Sequence, residues 1–128
     1  MLTIALLAGI WSSACIQTQI YDRNQGFAKE TYEISKTGDF EFTREWFVDS
    51  DCKESNGSDS EVGTIVLGGK LNGFFITQET FQADFNTQAG TDLGAVSVNN
   101  NRLRVARGMR NSTMRNTMLG LFDYTKQN

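Results

Sequence analysis

The side chains able to do chemistry in this chain are carboxylates, arginines and two cysteines, because histidine is absent. Its absence removes the commonest general base, the usual neutral-pH switch and the most frequent transition-metal ligand together. No serine or cysteine has a neighbour suited to activate it, and no glycine-rich loop leads from a strand into a helix to cradle phosphate. The acidic pairs Asp49/Asp51 and Asp59/Glu61 lack the alternating ligand spacing and terminal glutamate of a calcium loop, so they read as a solvated acidic segment. The sequence points away from an enzyme and implies no cofactor and no metal.

Arg44 stands at an alternate position of the run 40–48, on the face that carries Phe40, Phe42, Trp46 and Val48. Buried there, it needs a carboxylate, and Glu30 or Glu79 on inward-reading faces would supply it. A register slip of one residue turns it into an ordinary surface charge, which is the simpler expectation. Phe42, Trp46, Phe75 and Phe81 lie on faces that would look into a shared interior, and with Arg44 they form the candidate ligand-binding set. Residues 102–115 hold Arg102, Arg104, Arg107, Arg110 and Arg115 with no acid among them. These suit an acidic partner, yet pairing with the acidic segment 49–61 or its neighbours is the plainer expectation. Aromatic residues do not alternate with the arginines, and the net charge is −3, which argues against a nucleic-acid partner.

Cys15 and Cys52 have no other thiol to compete for either of them. A bridge between them would place the protein in an oxidising compartment; the alternative is two unrelated buried thiols. Residues 1–10, MLTIALLAGI, look like the apolar part of an export signal, but no Lys or Arg precedes them and Ser12 stands where a lipobox takes leucine. Met1 is read instead as a start placed after a removed export signal. The expected location is outside the cytoplasm: periplasmic, secreted or outer-membrane-associated. No run approaches the roughly 20 apolar residues of a membrane span.

Positioning these residues falls to strands. A chain of 128 residues, 39% of them hydrophobic, supports one domain (1–128) with one core. Proline is absent and glycine occurs twelve times, so strands run uninterrupted between frequent turns. Strands are expected at 7–17, 27–35, 40–48, 62–67, 74–85, 95–98, 103–106 and 118–125. Thr37-Gly38-Asp39, Asn72-Gly73 and Asn99-Asn100-Asn101 read as tight hairpin turns. Polar loops are expected at 49–61 and 86–94, and a loop or helical turn at 107–116. Along 27–35, Ala28, Glu30, Tyr32 and Ile34 share one face. Hairpin after hairpin favours an all-β, antiparallel, eight-stranded up-and-down barrel over a sandwich, and closure leaves no sheet edge exposed.

Gly9-Ile10-Trp11, Cys15, the Gly38-Asp39-Phe40 hairpin, Phe47-x-Asp49-x-x-Cys52 and the glycine-bearing stretch 63–68 together resemble small exported bacterial proteins with a lipocalin-like barrel. The resemblance implies that Trp11 fills the closed end of the barrel and that a basic residue from the last strand region, Arg115 or Lys126, packs over it. The interior of an eight-stranded barrel is either filled by side chains or holds one small ligand. With nine Phe in the chain, filling is the first expectation. The function expected is an exported, non-enzymatic binding protein that holds a small apolar or amphipathic ligand in its barrel. The alternative is a partner-binding or inhibitor-like envelope protein acting through its loops.

Overall fold

Residues 27–34 place a small, apolar or hydrogen-bonding side chain at every second position, and the period of two sets them on one face of a strand. In a computed structural model, which describes residues 2–17, 26–71, 79–109 and 122–127, that strand is β3 (Phe27–Ile34). Ala28, Glu30, Tyr32 and Ile34 all point inward and are buried. The turn that follows is fixed by Gly38, whose φ of +95° suits glycine. Ser35 closes it, its hydroxyl accepting the Asp39 amide at 3.1 Å. The chain then returns as β4 (Asp39–Phe47).

Before β3 come a single helical turn, α1 (Ile4–Leu7), and the strands β1 (Gly9–Ser13) and β2 (Ile16–Gln17). After β4 follow β5 (Ser55–Lys70), β6 (Phe81–Thr87), β7 (Gly90–Asn99), β8 (Arg102–Met109) and β9 (Phe122–Gln127). All pairings are antiparallel, and from β3 to β9 each strand pairs with its successor. β1 pairs with β3 on one side and β9 on the other, which closes an eight-stranded up-and-down barrel. β2 is the extra strand, continuing along β3 past the end of β1. This architecture is compatible with a lipocalin-like fold.

Several boundaries differ from those expected, each for a physical reason. The first strand is not continuous over 7–17: Leu7 belongs to α1, and the chain breaks at Ala14 and Cys15, where the disulfide to Cys52 is made (Cα–Cα 5.8 Å). Residues 55–61 are strand, not loop, because the nine-residue β4 presents a full row of amides and carbonyls that β5 pairs regardless of its polar side chains. Only the connection from Val48 to Glu54 remains, and there the Asp49 carboxylate accepts the Lys53 and Glu54 amides. The segment 86–94 is a tight hairpin between β6 and β7. A register shift between Glu45 and Phe47 puts an extra residue on β5, while β4 keeps its alternation against β3. Phe47 is buried although it lies on the face opposite Phe42, Arg44 and Trp46, and Val48, past the end of β4, is half exposed instead of inward. Arg107 continues β8, and Glu79 precedes β6, which runs on to Thr87. The Asn72-Gly73 turn, Phe75, Arg110 and Arg115 lie outside the described residues.

The main core fills the barrel from α1 to its middle. Leu7, Trp11, Ile34, Phe40, Ile65, Phe85, Val96 and Leu103 pack together with Tyr32 and Tyr124. Tyr32 is the hub of the aromatic contacts, with ring centroids 4.7 Å from Phe42 and 5.2 Å from Tyr124. A smaller cluster of Leu71, Ala95 and Ala106, with Leu93 against it, lies apart from this core.

Candidate functional site

One end of the barrel is sealed by hydrocarbon. Trp11 is 1% exposed and its indole N–H donates to the Leu7 carbonyl at 2.8 Å, tying the first strand to α1. Lys126, its cross-strand partner on β9, holds its Nζ 5.5 Å from the centre of the indole. Of the two basic residues that the resemblance offered, Lys126 is the one seen over the tryptophan. Gly9 makes this possible: a Cβ there would stand 2.9 Å from Lys126 Cε, and its φ of +139° disfavours any other residue.

Beyond Tyr32 and Tyr124 the inward positions change character. Glu30 is 3% exposed. Its Oε1 accepts the Tyr124 hydroxyl at 2.6 Å, and its Oε2 accepts Arg44 Nε at 2.7 Å and Arg44 Nη2 as well. The Glu30 amide in turn donates to the Ser13 hydroxyl at 2.9 Å. The surface position favoured for Arg44 is therefore corrected. It faces the interior on Glu30, not Glu79, because β3–β4 register sets residues 30 and 44 directly opposite. Its guanidinium stacks 5.9 Å from the Phe42 ring and 5.4 Å from that of Trp46, which donates its own indole N–H to Asp59 Oδ2 at 3.2 Å. Arg44 is 39% exposed, so this layer meets solvent.

A second ionic group lies on the far wall of the same layer. Arg107 Nη2 donates to Glu61 Oε1 at 2.7 Å and Asp92 Oδ2 at 2.8 Å, while Nη1 donates to the Tyr32 hydroxyl at 3.2 Å. Its guanidinium also covers the Phe85 ring at 4.7 Å. Phe42 and Tyr32 separate the two groups, and Phe42 has a guanidinium within 6 Å from each, at 5.9 Å and 5.8 Å. Burial pushes the Tyr32 phenol up from 10.0 to about 12, against the opposing pull of Arg107. Burial likewise raises Tyr124, with Tyr32 and the Glu30 carboxylate adding to it. For Arg107 burial works against the charge, but Tyr32 and Glu61 outweigh it and its proton is held more firmly than usual.

The candidate set thus divides. Phe42, Arg44 and Trp46 are alternate residues of β4 and meet in this layer. Phe81 opens β6 at the Trp11 end and is 8% exposed. The five-arginine group also divides: Arg102 and Arg104 both pair with Asp123, Arg107 turns inward, and the other two lie outside the described residues. Arg107, Glu61, Asp92, Tyr32 and Tyr124 were not in the candidate ligand-binding set; Arg107 was counted only with the arginine group and Glu61 only with the acidic segment. The available signal was the alternation Leu103, Val105, Arg107, which places the arginine on the inward face of its strand.

Chemically, the layer offers donors, acceptors and aromatic faces in fixed positions. Among the described residues no group of three metal-ligating side chains comes together, and no helix is long and apolar enough to cross a membrane. Set beside known protein families, curated proteins and solved structures, the chain matches none.

Proposed function

We propose that this is an exported, non-enzymatic binding protein that holds a small amphipathic molecule in the barrel layer formed by Phe42, Arg44 and Trp46. The observation that carries the reading is the inward-facing pair Glu30–Arg44 beside two partly exposed aromatic rings, in a barrel whose opposite half is closed with hydrocarbon. An ion pair with one partner partly exposed adds little net stability, whereas fixed polar groups among aromatic walls are what orient a small ligand. The ligand's apolar body would lie on Phe42 and Trp46 and its polar head on Arg44 and Asp59. The Cys15–Cys52 bridge supports an oxidising location. The loop-borne alternative has less support, since Ser55–Lys70 is strand and Arg107 is spent inside the barrel.

Native mass spectrometry of the protein exported into a bacterial periplasm tests this. The expected result is a non-covalent adduct of a few hundred daltons, lost from a Trp46→Ala/Arg44→Met variant. Bare protein in both preparations contradicts it.

A further inference from the structure

At the Trp11 end, α1, the turn between β7 and β8, and strand β9 border a cleft of about 660 Å³. That volume lies in the range of small-molecule sites. The cleft is separate from the Arg44 layer and shares none of its residues.

Its walls differ in chemistry. Leu2, Leu6, Trp11 and Phe81 supply an apolar side, and Leu6 is 56% exposed although it is a large aliphatic residue. Lys126, Ser97, Asn99 and Asn100 supply the polar lining of the same cleft. The Lys126 backbone is fixed by a hydrogen bond that its N–H donates to the Asn101 carbonyl at 2.8 Å. Its ammonium rests on the Trp11 ring and, among the described residues, makes no ion pair. A cation at the mouth of an apolar recess, flanked by amide donors, matches an anion with a hydrocarbon tail. Glu79 also lines the cleft and repels an anion, so Lys126 offsets one negative charge on the guest and nothing among the described lining residues offsets a second.

We propose that this cleft is a second binding site, specific for a small amphipathic monocarboxylate. The carboxylate meets Lys126 and the Asn99–Asn100 turn, and the tail lies against Leu2, Leu6 and Phe81. Covering the Lys126–Trp11 pair removes it from water, where a cation over an indole face is held more strongly.

The two tryptophans make the test specific, because Trp11 borders this cleft and Trp46 belongs to the other layer. ¹⁵N NMR of the full chain is followed during titration with octanoate and, separately, octylamine. Octanoate is expected to shift the Trp11 indole signal and the Asn99 and Asn100 amides saturably while the Trp46 indole stays in place. Octylamine produces no saturable shift. Lys126→Met, which keeps the aliphatic stem, weakens octanoate by about tenfold, and Lys126→Arg restores it. No saturation by about 10 mM, a response confined to Trp46, equal response to octylamine, or unchanged affinity in Lys126→Met each overturns the proposal. The comparison of octanoate with octylamine uses the unaltered chain, so it decides even if a variant fails to fold.

Discussion

The half of the barrel around Trp11 and the half around Arg44 are built from the same alternating strands, yet one fills its inward positions with hydrocarbon and the other with charge that partly meets solvent. Around Trp11, inward positions hold Leu7, Ile34, Phe40, Ile65 and Val96, whose removal from water is the main favourable term in folding. Around Arg44, the equivalent positions hold Glu30, Glu61, Asp92 and Arg107 in pairs. Such pairs recover little more than the cost of leaving water. A chain under selection for stability alone would have continued the hydrocarbon. The difference teaches that alternation alone does not decide what a barrel interior holds: one half is packed for stability, and the other keeps polar groups that the fold does not require.

The largest effect that would sharpen this contrast is expected at the sealed end. Trp11→Ala removes a fully buried indole together with its bond to Leu7, and should cost about 3–5 kcal/mol in denaturant unfolding. A loss below about 1 kcal/mol would mean that the end is not held shut by this residue. A smaller effect is expected at the boundary between the halves. Because the folded state raises Tyr32 to about 12, it keeps the phenolic proton more tightly than the unfolded chain does. That contribution, up to about 3 kcal/mol, is complete below pH 10, the ordinary tyrosine value, and is lost as pH rises through about 12. Unfolding measured on either side of this window should show the loss, and a Tyr32→Phe chain should show less of it. An equal loss in both would remove Tyr32 from the explanation.

The sealed half was the more legible in the sequence. Gly9 and Trp11 carry their meaning in local spacing, and β3 announces its buried face through strict alternation. The Cys15–Cys52 bridge, at the other end beyond Phe47, was legible because no other thiol competes for either cysteine. The charged half was harder to read because its logic is long-range: Tyr124 reaches Glu30 across 94 positions and Arg107 reaches Glu61 across 46. Asp59 and Glu61 lie on inward positions of a strand, but an acidic run looks like loop until the arginine that meets it is known. The bulge before Phe47 was equally hidden, since it arises from how β4 and β5 align rather than from either strand alone.

The division of labour between the halves is tested most directly by comparing Glu30→Ala with Glu30→Leu/Arg44→Met. The single change strands the Arg44 guanidinium and the Tyr124 hydroxyl, and should cost about 3 kcal/mol. The double change replaces the pair with hydrocarbon and leaves only the Tyr124 hydroxyl without its acceptor, so its expected stability lies about 1–2 kcal/mol below the original and above the single variant, with the carried adduct lost. A double variant as unstable as the single one, still carrying its adduct, would show that the ion pair serves the fold and not a ligand.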